Sequence, residues 1–129
     1  MILMVAIALA AAPAPDYLAF SDYAKLVAVA ATSAGSCPRL GYAVDAPGAR
    51  QWAERASSEG VYGGMSASTA NMILADALSQ ETANLEALNA RVKASGGDRR
   101  EIDRLLDFWA ARCAMLAENP HTSAYFRPQ

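Results

Sequence analysis

The sequence predicts an all-α fold: a small helical bundle of three main helices plus one short capping helix, with one disulfide, Cys37–Cys113. Three observations predict it. Alanine dominates a composition that is 53% hydrophobic, and alanine combines the best helix propensity with a side chain small enough for neighbouring backbones to approach closely. Apolar residues recur at steps of three and four along successive segments, each bounded by residues that cap or break helices. The 129-residue chain also holds 2 cysteines, so only one pairing exists.

The first stretch, Met1 to Ala12, is wholly apolar and ends in small residues, as the core of a signal peptide does on reaching its cleavage zone. Ala8-Leu9-Ala10 fits the small-x-small rule, so a cut between Ala10 and Pro13 is expected. No Lys or Arg precedes the apolar run, which fits a start further upstream. Residues 1–12 are therefore read as a signal peptide and 13–129 as a single helical domain. A membrane span needs about 20 apolar residues, and Pro13, Pro15 and Asp16 end the run before that. No cysteine follows closely enough to be acylated as in a lipoprotein.

Asp16 is a good N-cap for a first helix running to Ser33. Its core face is predicted from Phe20, Ala24, Val27 and Ala31, with Tyr17 and Tyr23 flanking it and Gly35 ending it in the left-handed conformation. Pro38 holds Cys37 extended, so Cys37 to Tyr42 reads as a connecting loop. Asp45 followed by Pro47 opens a short second helix that ends by Gly60, with Ala49, Trp52, Ala53 and Ala56 on its apolar side. Val61-Tyr62-Gly63-Gly64-Met65 is a joint; no strand precedes it and no Gly-Lys-Ser/Thr follows, so it is not read as a phosphate loop.

The third helix runs from Ser66 or Ser68 to Ala94. Leu74, Leu78, Leu85, Leu88 and Val92 form its stripe, and Glu81 falls in a slot that should be apolar. Either the stripe drifts there or Glu81 is partly buried, and a drift that leaves Glu81 in water is the cheaper solution on sequence grounds. Arg91 and Lys93 suit the negative end of the helix dipole. Gly96 ends this helix, and Asp98 with Glu101 resembles a capping box opening the next. So short a link makes the two helices an antiparallel hairpin. The fourth helix carries Ile102, Leu105, Leu106, Trp109, Cys113 and Leu116 on one side and stops at Asn119-Pro120. In the tail, Tyr125 and Phe126 are expected to pack back onto the helices.

A single disulfide in a small chain with an export segment points to an oxidising compartment, periplasmic or secreted. Closing a loop of about 76 residues, it contributes roughly 4 kcal/mol in the chain-entropy model. Because it ties the end of the first helix to the last turns of the fourth, those two helices are expected to run parallel, which disfavours a plain up-down-up-down bundle.

Chemistry is sought in several places. His121 is the only histidine, which excludes histidine-based metal clusters and any convincing Ser-His-Asp set, and it reads as a solvated tail residue. Asp103 and Asp107, with Arg99, Arg100 and Arg104 beside them, read as a salt-linked solvated face. Cys37-Pro38 matches the two-residue Cys-Pro signature of thiolate haem ligation, but a disulfide-bonded Cys37 has no thiolate to offer. Tyr17, Tyr42, Tyr62 and Tyr125 read as core-edge packing residues. No catalytic, cofactor-binding or metal site is expected, and with a net charge of −2 nucleic acid is not an expected partner.

The expected function is therefore a protein-binding accessory or chaperone-like module that lacks enzymatic activity. The alternative is a carrier of an apolar small molecule held among Leu74, Leu78, Leu106 and Trp109. The layout, an export segment followed by a small helical domain with one disulfide, resembles that of the periplasmic acid-stress chaperones, a resemblance of layout that no motif carries.

Overall fold

The computed structural model describes residues 17–58 and 65–129. The apolar stretch read as a signal peptide, the entry from Pro13 to Asp16, Gly60 and residues 61–64, Tyr62 included, lie outside them. In chain order come helix α1 (Tyr17–Ser33), a 3-10 turn (Cys37–Leu40), strand β1 (Tyr42–Val44), helices α2 (Ala46–Ser58), α3 (Ala67–Ala94) and α4 (Arg99–Glu118), and strand β2 (Phe126–Pro128). The fold is a small all-α bundle with Cys37 and Cys113 joined, their Cα atoms 5.6 Å apart.

Local chemistry explains most helix ends. The Gly48 N–H donates to Asp45 Oδ1 at 3.0 Å and the Thr69 N–H to Ser66 Oγ at 3.2 Å, each satisfying a donor that the first turn leaves without an intrahelical partner. Gly96 and Gly97 take φ of +70° and +85°, and their N–H groups close α3 on the carbonyls of Lys93 and Val92. Asp98 caps α4, but the capping box is only half made. The Asp98 N–H donates to Ser95 Oγ at 3.0 Å, leaving the Glu101 carboxylate to pair with Arg91 and Arg104. Nor does Gly35 adopt the left-handed conformation. It is Gly41, at φ +89°, that caps the 3-10 turn into which α1 runs.

Helix α1 is the centre of the molecule. Three buried apolar clusters exist among the described residues, and α1 contributes to each: Phe20 joins Met65 and Ala70, Ala24 and Ala28 join Ala77, and Leu26, Val29 and Ala30 join Ala49, Trp52, both cysteines, Leu116 and Phe126. On a helix of 3.6 residues per turn these positions form two separate arcs, one towards α3 and one towards α2 and α4. The predicted single face, Phe20, Ala24, Val27 and Ala31, needs correction accordingly. Phe20 and Ala24 are buried, whereas Val27, which lies between the two arcs, is half-buried, and Ala31, near the C-terminal end of the arc towards α3, is exposed.

The expected direction of α1 is also corrected. Its start meets the far end of α4, where the Tyr23 and His121 rings lie 5.3 Å apart, and the turn after its end meets Cys113. Helices α1 and α4 are therefore antiparallel. Phe20 near Ala70 and Ala28 near Ala77 make α1 and α3 parallel. Tyr23 edge-on to Trp52 at 5.6 Å, with Ala34 beside Ala46 at the other end, makes α2 antiparallel to α1. The arrangement is up-down-up-down. The contrary expectation assumed helices of equal reach. In fact α3 has 28 residues against 17 in α1, roughly 42 Å against 25 Å at 1.5 Å per residue, so α1 ends partway along α4 and meets Cys113 there.

The overshoot forms an arm. From Thr82 through the Ser95–Asp98 link to Arg112, no residue is buried; the leucines of the α3 stripe and the apolar side of α4 cover one another only in part. At the opposite end the tail folds back, as expected. β2 pairs antiparallel with β1, Val44 opposite Phe126 and Tyr42 opposite Pro128, which places the Phe126 ring in the core at 0% exposure. This ribbon is absent from the sequence reading, since three-residue strands carry too little period to be seen. Thr122, also fully buried, donates to the Leu116 carbonyl at 2.6 Å and fixes the turn after α4.

Among the described residues one buried group is left unpaired. Ser33, at 0% exposure, has a hydroxyl with no hydrogen-bond partner. An unsatisfied buried hydroxyl costs about 1–3 kcal/mol and serine is a poorer helix former than alanine. Ser33→Ala is expected to stabilise the protein by about 1 kcal/mol, read as a higher urea midpoint; a lower midpoint would mean that Ser33 has a partner in solution.

Candidate functional site

The side of α1 that lies between α2 and α3 is the floor of an open apolar groove. Val27, Ala28 and Ala31 form one stretch of the floor, with Ala53 of α2 on one wall and Leu74, Ala75 and Leu78 of α3 on the other. The groove continues past Ala31 and Ala53 to Ala30, Ala34, Ala46 and Ala49, with Arg50 at its rim. Its two lobes hold about 200 and 240 Å³. From Val27 to Ala34 the floor is about 10 Å long at a helical rise of 1.5 Å. Alanines make it shallow, and Leu78, 43% exposed, forms an apolar lip.

The carrier cavity expected among Leu74, Leu78, Leu106 and Trp109 does not form as one site. Leu74 and Leu78 line the groove, but Leu106 and Trp109 sit out on the arm. What sequence reading missed was the groove's floor: Val27 and Ala31 were read as core. The signal lay in the breadth of the apolar arc on α1, where Leu26, Val29 and Ala30 are too far round the helix to share one face with Phe20 and Ala24.

A second constellation stands where the arm meets the body. Glu81 is buried at 8% exposure, contrary to the expectation that it would be left in water. Arg112 of α4 pairs with it through two contacts, Nε to Oε1 and Nη2 to Oε2, the latter at 3.3 Å. The guanidinium carbon lies 3.4 Å from the centre of the Phe108 ring, a cation–π contact that covers its outer side. A fork of two N–H donors matches a carboxylate in geometry as well as charge, which is how an acidic residue occupies an apolar slot. It could not be read from the sequence because its partner lies on another helix. The arrangement offers structure and no reacting atom: both carboxylate oxygens are engaged by two of the three guanidinium nitrogens.

The remaining candidates stay apart. Cys37 and Cys113 are both at 0% exposure and bonded to each other, so neither offers a thiolate. Asp103 pairs with Arg99 at 3.1 Å on the surface and Asp107 is exposed. His121 is exposed, with its ring edge-on to Tyr23. Tyr42 and Tyr125 are half-buried around the ribbon. Among the described residues no group of three His, Cys, Asp or Glu side chains converges as metal ligands would, and no helix is long and apolar enough to cross a membrane.

Comparison with protein-family models, with curated proteins and with solved structures finds no match to this chain.

Proposed function

We propose that the protein is an exported binding module that docks a segment of another protein in the groove over α1. One observation carries this reading: the groove is apolar, open and shallow. A pocket that encloses a small molecule is commonly about 300–1,000 Å³ and buries most of the ligand; two open lobes of 200 and 240 Å³ suit a pair of aliphatic side chains projecting from a larger partner. An amphipathic helix presents such a pair at i and i+3 or i+4, which is the usual way a helix lies in a groove. Arg50 at the rim then favours an acidic residue at one end of the docked segment. Export rests on the apolar segment at 1–12 and on the disulfide, which persists in oxidising compartments.

Selection from a displayed peptide library tests the docking. Peptides with two aliphatic residues one helical turn apart and a flanking carboxylate are expected, and Ala31→Glu, at an exposed floor position, should weaken them at least tenfold while leaving the thermal transition in place. Peptides that bind Ala31→Glu as well as the parent protein would overturn the reading. A fatty acid or other amphiphile retained stoichiometrically in native mass spectra would favour the carrier instead.

A further inference from the structure

Resting on the docking proposed above, we infer that the docking surface continues out of the groove along α3, and that its occupant is one amphipathic helix of about five turns whose charges read acid, base, acid from the groove towards the tip of the arm.

Length comes first. The floor over α1 spans only about two helical turns, and a helix that short does not hold its shape in water. A segment that presents two aliphatic side chains in helical register gains order by extending past the floor. Helix α1 ends at Ser33, but the α3 wall goes on. Ala28 packs beside Ala77, so Ala34 is level with about residue 83 of the parallel α3, which continues to Ala94.

The continuing wall is one face of α3. Ala75, which lines the lobe at Val27, and Lys93 stand about five whole turns apart at 3.6 residues per turn, so they lie on one line. Thr82 and Glu86 fall within about 20° of that line, and Asn89 lies within about 20° of Leu78 in the same way. Glu86, Asn89, Ala90, Val92 and Lys93 together line a shallow depression. Helix α4 meets α3 through Glu81 and Arg91, on roughly the opposite side, and leaves Glu86, Asn89 and Lys93 exposed.

Charge gives the chemistry of the occupant. Arg50 stands at the rim of the lobe formed by Ala31 and Ala34. Glu86 lies about one turn beyond that level, and Lys93 about two turns beyond Glu86. All three side chains are exposed, and among the described residues none of them pairs with an opposite charge. The order is base, acid, base. A helix lying along it is complementary when it carries acid, base and acid at the same levels, with its aliphatic pair on the groove side of the first acid. A uniformly acidic or uniformly basic segment would meet a like charge at one level at least. In a segment that stopped with the groove, the acid against Arg50 would be the last contact.

Selection against the disulfide-intact protein from a displayed library of helical peptides about 20 residues long, enough for five turns, reads these charges. The parent protein is expected to select the aliphatic pair followed by acid, base and acid. Glu86→Lys and Lys93→Glu should each weaken the selected peptide about fivefold at low ionic strength, because an attraction between surface charges becomes a repulsion of similar size, and should leave the thermal transition in place. The protein that carries both exchanges should select the same aliphatic pair and first acid, with the next two charges in reversed order. Peptides that lose binding on Ala31→Glu, yet show no charge preference beyond the first acid and bind the exchanged proteins as they bind the parent, would overturn the inference and leave the groove reading standing. Peptides indifferent to Ala31→Glu would overturn both.

Discussion

Removing the disulfide is expected to lower the stability of the protein by about 4 kcal/mol, the loop-entropy value for a cross-link between residues 76 apart. Measured as the difference in urea unfolding between the oxidised protein and Cys37→Ala/Cys113→Ala, that loss is of the order of the whole net stability of a small domain. Two features of the fold support so large an effect. Both sulfurs are fully buried in the main cluster with Trp52, Leu116 and Phe126, and the bond ties the turn after α1 to the middle of the molecule just above the arm. The alanine pair should therefore loosen α1 together with the β1–β2 ribbon while the α3–α4 hairpin keeps its helicity. An unfolding midpoint within error of the oxidised protein's would show that packing alone orders that end.

The second large effect concerns Glu81 and Arg112. Arg112→Ala leaves a carboxylate 8% exposed with no counter-charge, and breaking a buried pair in this way costs about 3 kcal/mol. Arg112 is itself 23% exposed at the side chain, so water entering beside it reduces the penalty without removing it. Replacing both partners by leucine removes the uncompensated charge and is expected to cost under about 1 kcal/mol, since buried pairs exchanged for apolar residues are often neutral. The distinguishing result is non-additivity: the double variant more stable than Arg112→Ala alone. Additive losses would mean that the two side chains do not depend on each other. The position of the pair gives it a structural task. It sits where α3 and α4 cease to face one another alone and α1 enters, so it sets the register of the hairpin against the body.

Helix identity and helix ends were legible because their causes are local. Ser66, Asp45 with Pro47, and the Gly96–Asp98 link act within a few residues of themselves, and a reader of the chain meets them in sequence. Pairing Cys37 with Cys113 was legible for a different reason, the absence of any other cysteine. The position of α1 was not legible. Its wide apolar arc, Phe20 and Ala24 on one side and Leu26, Val29 and Ala30 on another, signals burial on two faces only once it is known that the longer α3 outreaches it. Reading Val27 and Ala31 as core was the cost, and with them the groove went unseen. Glu81 was misread for the related reason that hydration was weighed against an empty apolar slot, when the actual competitor was a guanidinium on a neighbouring helix. The ribbon of β1 and β2 escaped because its strands are three residues long and far apart in the sequence.

With α1 at the centre of the molecule, the accessible apolar surface lies in two places, over α1 and along the arm. The measurement closest to the proposed function is photo-crosslinking from the groove floor in the cells that make the protein, with a benzophenone amino acid at Ala31 and, as a control, at exposed Ala43 on the ribbon. Docking of a partner segment predicts a discrete protein-sized adduct from Ala31 alone, its cross-linked peptide rich in aliphatic residues with a carboxylate nearby. Adducts of lipid size only, or the same adducts from both positions, would contradict it.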